Sequence, residues 1–150
     1  MRDWMPHVTV ATVVSQGSNY LLVEERDKTT GAMVFNQPAG HLEAGESLQA
    51  AALRETLEET GWEVALQGVL GVALYTATAN GVTYYRTTFV AQPVRELANA
   101  ALDPDIHAVH WLDYEAILAN SARMRSPLVL SAIEQQRRGV CYPLDLIYNE

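Results

Sequence analysis

Positive charge is scarce in this chain. Ten Lys and Arg stand against eighteen Asp and Glu, and the formal net charge over 150 residues is −8. Such a field repels phosphate polymers, so a nucleic-acid-binding role is disfavoured. Cysteine is scarcer still. Cys141 stands alone, permits no internal disulfide, fits a reducing cytoplasm and reads as a packed or partly exposed thiol. No apolar run approaches the roughly eighteen residues of a membrane span, so no transmembrane helix is expected. The start, MRDWMPHVTVATVV, lacks a signal-peptide layout, because Asp3 interrupts the basic region and no small-residue cleavage site follows a long apolar core. Repeats, linkers and low-complexity segments are also missing. What remains, 49% hydrophobic and 19% charged, is ordinary for a globular protein. Its length fits one domain, residues 1–150, with a sizeable core. Monomer and homodimer both stay open.

Several elements can be read from periodicity and turn residues. His7 to Val14 and Tyr20 to Glu25 are strands joined by the turn Gly17-Ser18-Asn19. A polar loop over 28–31 leads to a short strand, Met33 to Asn36. Residues 63–77 and 82–91 form a second hairpin about Asn80-Gly81. After an acidic loop over 96–105 comes a last strand, Ile106 to Leu112. Asp113 caps a short helix over 114–120, and Ser126-Pro127 opens another over about 127–138, ended by Gly139. The tail CYPLDLIYNE is too apolar for a disordered tag. Strands interleaved with three helices give an α/β architecture, and hairpins at both ends make its sheet mixed.

The densest pattern lies in residues 40–62, GHLEAGESLQAAALRETLEETGW. Gly40 is followed after five residues by Glu46 and after seven more by Arg54-Glu55-x-x-Glu58-Glu59-x-Gly61. At residue frequencies of about 5–7%, chance yields such a string in roughly one chain in a million. Residues 48–60 contain no Gly or Pro and are rich in Ala, Leu, Glu and Arg, so they form a helix. Ser47 is placed to cap it, and Gly61 to end it. On the helical wheel Leu48, Ala52, Glu55 and Glu59 make one stripe, with Ala51, Glu58 and Trp62 beside it. The stripe begins apolar and turns acidic. Like charges one turn apart repel, and on an inward face they are costly unless a cation sits among them. Oxygen-rich carboxylate clusters suit Mg²⁺ or Mn²⁺. A bland alternative is a solvated helix face on which Arg54 pairs with Glu58; the glycine loop and the full spacing count against it. Ala50, Leu53 and Leu57 on the opposite face argue that the helix is covered on both sides.

This stretch resembles the Nudix box, the signature of enzymes that hydrolyse a nucleoside diphosphate linked to another group. The resemblance implies a mixed sheet sandwiched between helices. It also implies a hydrolase that needs a divalent cation, Mg²⁺ with Mn²⁺ as a substitute, and a small-molecule diphosphate substrate. Carried over residue by residue, Glu55, Glu58 and Glu59 form the metal set, the Gly40 carbonyl adds a ligand, and Arg54 holds the cluster together. Which carboxylate takes the water proton stays open. A further carboxylate is expected from the loop before the last strand, where Glu96, Asp103 and Asp105 are candidates and Asp105 fits best. The segments PHVTVATVV, NQPAGHLEAGESL, RSPLVLSAI and YPLDLI are similar to a bacterial phosphatase branch of the family. That branch acts on thiamine diphosphate, its hydroxymethylpyrimidine diphosphate precursor, and nucleoside di- and triphosphates. Cleavage inside ADP-ribose or a dinucleoside polyphosphate is the competing expectation.

Two positions depart from the usual box: Thr56 stands where a large aliphatic residue is common, and Trp62 follows Gly61 and reads as core. Arg26, Arg86 and Arg125 are the candidates for phosphate contact. Tyr75, Tyr84 and Tyr85 could stack on a ring, and His41 could touch phosphate, while His7, His107 and His110 read as structural. Residues 126–147 are apolar, with Arg125 and Tyr142 at their edges, so this segment is expected to wall the substrate pocket and bring Tyr142 near the ring.

Overall fold

The computed structural model describes residues 3–149. Seven strands and three α-helices alternate along the chain: β1 (His7–Gln16), β2 (Asn19–Arg26), β3 (Met33–Asn36), β4 (Ala39–His41), α1 (Leu48–Thr60), β5 (Trp62–Thr76), β6 (Thr83–Glu96), β7 (Ile106–Asp113), α2 (Tyr114–Ala119) and α3 (Pro127–Arg137). Short 3₁₀ turns cover Ser121–Arg123 and Leu144–Leu146. None of the helices is long and apolar enough to cross a membrane.

The sheet is mixed, as expected. Its path runs β3-β2-β1-β6-β5, with β4 added to β1 and β7 to β2. β1 lies parallel to β6, pairing His7 with Tyr84 through Val14 with Ala91, while the other pairs are antiparallel. Strand alternation then sorts the core into two layers. Val10, Val69 and Phe89 face Ala51 and Ala52 of α1. The neighbours Leu70 and Val90, with Val13, face Ala132 and Ile133 of α3. Successive residues point to opposite faces, so one sheet is sandwiched between helices, and β1 is buried on both sides from Thr9 to Ser15. Trp62 meets Trp111 edge to face in a third cluster with Val14, Leu21 and Val64, so it is a packing residue.

Helix α1 starts and stops where its sequence directs. Ser47 Oγ accepts the Ala50 N–H, and Gly61 takes φ 76°, a conformation costly for residues with a Cβ. Its outer face, however, is not covered: Ala50 is exposed and Leu53 is 40% exposed. Leu57 on the same face is half-buried, and a helix needs only one apolar stripe to dock. The Thr56 departure is absorbed inside, where its fully buried hydroxyl donates to the Ala52 carbonyl and also meets Thr12 Oγ1.

The tail also departs from expectation. Residues 140–147 cross the outer edge of β5, where Val69 and Tyr142 exchange both backbone hydrogen bonds at 2.8 Å. Gly68 makes room for this crossing, because a Cβ there would overlap Cys141 Sγ. Tyr142 is 53% exposed on that edge.

Candidate active site

Three elements bring the acidic stripe of α1 to a cleft. β4 pairs with β1 (Val10 opposite Gly40) and itself lies against α1. Gly40 lies so close to Glu55 that a Cβ there would overlap the Glu55 carboxyl. Any side chain at this position would displace the Glu55 carboxyl, so the glycine sets where that carboxyl sits. One residue earlier, the Ala39 N–H donates to Glu59 Oε1 at 2.8 Å.

Arg54 organises the rest. Its Nε and Nη2 donate to the two oxygens of Glu46 at 3.0 and 2.6 Å. Nη1 donates to Glu55 Oε1 at 2.7 Å and to Glu58 Oε2 at 3.3 Å, and Nη2 also reaches the His41 carbonyl at 3.1 Å. The bidentate partner holds the Glu46 carboxyl below its ordinary pKa, and the surrounding carboxylates raise that of Arg54. Glu46 also accepts the Glu43 N–H, which closes the loop onto the helix start.

The carboxylates on the stripe are driven the other way. Glu59 is only 7% exposed, and burial pushes its carboxyl up to about 9, against the opposing Ala39 hydrogen bond and with the charges of Glu25, Glu55 and Asp103 adding to the rise. Burial also raises Glu55, although Arg54 pulls it down. Glu58 is exposed and is not among the residues that line the cleft.

The cleft above these residues has a volume of about 550 Å³. Seven carboxylates and four cations line it. Arg26, Lys28, Arg86 and Arg125 are the cations, and all three arginines expected from the sequence are therefore present. Arg86 forms the floor. It is 7% exposed, and its Nη2 donates to Gln37 Oε1 at 2.8 Å and Asn36 Oδ1 at 3.3 Å. Its Nε has no partner, and no carboxylate forms an ion pair with it among the described residues. Burial lowers its pKa to about 10. Arg125 donates from Nη1 to Glu25 Oε1 at 2.7 Å. Tyr75 and Tyr84 line the cleft, whereas Tyr85 does not. His41 lines it too, its Nε2 lying 2.9 Å from His7 Nδ1; burial first and His7 second lower the His41 pKa.

Three expectations are corrected here. Tyr142 is absent from the cleft lining, because the tail it belongs to is spent on the β5 edge. The segment after Arg125 contributes only Ser126 and Leu128. Glu96 ends β6 opposite Trp62, outside the cleft. Of the loop acids, Asp105 lines the cleft but pairs with Lys28 at 2.9 Å. Asp103, whose N–H donates to the Glu58 carbonyl, is the loop acid whose charge reaches Glu55 and Glu59. Sequence reading missed Glu25. It is buried in the cleft wall at the end of an apolar strand, where alternation alone could not tell it from the neighbouring Glu24.

A domain model described as NUDIX domain matches residues 5–131. The chain belongs to the Nudix family. Phosphatase NudJ from Escherichia coli strain K12 and from Shigella flexneri are each 38% identical to it over 142 residues, covering 95% of this chain and 90% of theirs. A Nudix hydrolase from Nitrosomonas europaea matches with a TM-score of 0.94 and 43% identity, over 97% of this chain and 98% of that one. An ADP-ribose pyrophosphatase from Streptococcus suis shares the fold alone, with a TM-score of 0.65 and 15% identity over 92% and 96% of the two chains. This Nudix domain is thus a hydrolase of phosphoanhydride bonds, in a family that works with divalent metal ions.

The site suits such an ion. Glu55, Glu58, Glu59 and the Gly40 carbonyl offer hard oxygens, the kind that divalent alkaline-earth cations prefer. Among the described residues no three side chains form a ready ligand cluster, since Arg54 engages Glu55 and Glu58 and the Ala39 N–H engages Glu59. The excess of carboxylates opposes entry of a phosphate chain, and a bound cation would offset it.

Proposed function

We propose that this Nudix domain is a phosphatase of small organic di- and triphosphates that uses Mg²⁺, with Mn²⁺ as a substitute, and releases inorganic phosphate. Hydroxymethylpyrimidine diphosphate, thiamine diphosphate and nucleoside di- and triphosphates are the substrates of this reading. The observation that carries it is Arg86, a buried guanidinium without an acidic partner at the floor of the cleft. An unpaired buried charge is costly, and a phosphate is the ligand that would complete it. The identity to proteins named phosphatase over 95% of the chain supports the same choice.

In this reading Glu55, Glu58, Glu59 and the Gly40 carbonyl hold the cation, which when bound offsets phosphate charge and acidifies water. Arg54 fixes Glu55 and Glu58 through its hydrogen bonds and ties them to the loop through Glu46. Arg86 at the floor and Arg125 above it bind phosphate oxygens, and Arg26 lines the same cleft. Proton removal from water falls to a carboxylate with a raised pKa, which Glu59 and Glu55 both offer, or to Glu25, Asp103 or Asp105 in the same cleft. Tyr75 and Tyr84 flank the space left for the organic group. Residues 1–150 act as one domain in a cytoplasmic setting, where the lone exposed Cys141 stays reduced.

A substrate panel tests this. Purified protein with Mg²⁺ is expected to release free phosphate from diphosphates and triphosphates. Products consisting only of two organic phosphates from ADP-ribose or a dinucleoside polyphosphate, with no free phosphate from any substrate, would overturn it.

A further inference from the structure

The chain contains one lysine, Lys28, and it lines the cleft. Its loop, between β2 and β3, is fastened from several sides. Asp27 Oδ1 accepts the N–H groups of Thr29 and Thr30, the Gly31 N–H donates to the Asp27 carbonyl at 2.7 Å, and Arg26 Nη1 donates to the Gly31 carbonyl. The lysine is therefore presented from a tied turn, with a side chain 79% exposed. Its partner is Asp105 Oδ2 at 2.9 Å. An exposed pair of this kind contributes little to folding and exchanges readily for a better anion.

The other cations of the cleft continue from it. Arg125 lies close enough for its charge to act on both Lys28 and Arg86. The three thus form a track from mouth to floor: Lys28 exposed, Arg125 partly buried, Arg86 buried. Asp105 and Glu25 offset Lys28 and Arg125, and only Arg86 has no acidic partner, so a linear polyphosphate that reaches Arg86 passes the other two cations on its way in.

We propose that Lys28 is a positioning residue for the substrate phosphate farthest from Arg86, and that it sets the preference of the cleft for triphosphates over diphosphates. A diphosphate spans Arg86 and Arg125. A third phosphate extends to the mouth, where the ammonium exchanges Asp105 for it. Asp105 then serves to keep the ammonium at the mouth between turnovers. This assignment rests on the phosphatase reading of the site.

Steady-state kinetics of the parent, Lys28→Ala and Lys28→Arg with a nucleoside triphosphate and its matching diphosphate test it. Lys28→Ala is expected to raise KM for the triphosphate about tenfold, as for loss of one charge-assisted contact, and to leave the diphosphate KM within about twofold. Lys28→Arg should restore most of the triphosphate KM. A second measurement is independent of turnover: the triphosphate, more than the diphosphate, should protect Lys28 from an amine-reactive reagent, read by peptide mass spectrometry. Equal KM changes for the two substrates, or none, together with equal protection, would refute the role of Lys28 while leaving the phosphatase reading intact. A parent that releases phosphate from neither substrate would overturn both.

Discussion

Replacing Glu59 by Gln should flatten the pH dependence of stability in the metal-free protein. The substitution keeps the shape and the oxygen that accepts the Ala39 N–H, and removes only the charge. Burial raises the Glu59 carboxyl from its ordinary 4.5 to about 9. A carboxyl that holds its proton more tightly when folded adds stability at low pH, and that contribution is lost as pH rises from the unfolded value toward the folded one. The slope is at most about 1.4 kcal/mol per pH unit, so passing from about pH 5.5 to about pH 8 costs the parent up to ~3 kcal/mol. For a domain of this size that is roughly 6–12 °C in Tm. Glu55 titrates in the same direction and adds to the parent's loss. Calorimetry in EDTA at both pH values is the assay. The parent should lose several degrees on going to the higher pH, and Glu59→Gln much less. Parallel losses in the two proteins would show that Glu59 is not the strained group. With Mg²⁺ restored, the variant should keep its fold and lose on the order of 10²–10⁴-fold in rate.

Further outcomes follow from the same geometry. EDTA in excess should abolish turnover, and Mg²⁺ should raise Tm more at about pH 8 than at about pH 5.5, because fewer protons compete with the cation for the raised carboxyls at the higher value. Gly40→Ala places a methyl group in the Glu55 carboxyl, so kcat should fall about 10²-fold or more while circular dichroism still reports a folded protein. Arg86→Met leaves the buried Gln37 and Asn36 oxygens without their donor, so stability should fall by about 1–3 kcal/mol while KM for a diphosphate rises at least about tenfold. Tyr142→Ala should leave KM within about twofold of the parent, whereas Arg125→Ala should raise it about tenfold, since only Arg125 faces the cleft.

The helix of the box was legible because its signals are local. Ser47, Gly61 and an unbroken run of helix formers act over a few residues, and the observed bounds, Leu48–Thr60, agree with them. The faces of β1, β5 and β6 were legible as strands but not as partners, since pairing joins residues as distant as His7 and Tyr84. β4 was invisible: three residues, Ala39–His41, carry no period, and they pair only because the turn before them returns the chain to β1. Arg86 and Arg125 could be named from type alone, yet their inequality, one unpaired and one held by Glu25, is a property of burial and not of spacing. Glu25 shows the reverse limit. It reads as an ordinary polar residue at a strand end until β3 and Arg125 enclose it. Tyr142 misled because an apolar tail must pack somewhere, and composition does not say against which surface.

The crossing of the tail over β5 bears on how the chain is made. An open strand edge is a template for pairing with another molecule. Here Val69 is completed by Tyr142, seventy-three positions later in synthesis. During translation the hairpin of β5 and β6 can form well before its guard emerges, so the edge stays exposed for that interval. Gly68, with the space it leaves for Cys141, marks the place where the last part of the chain closes off what was made near the middle.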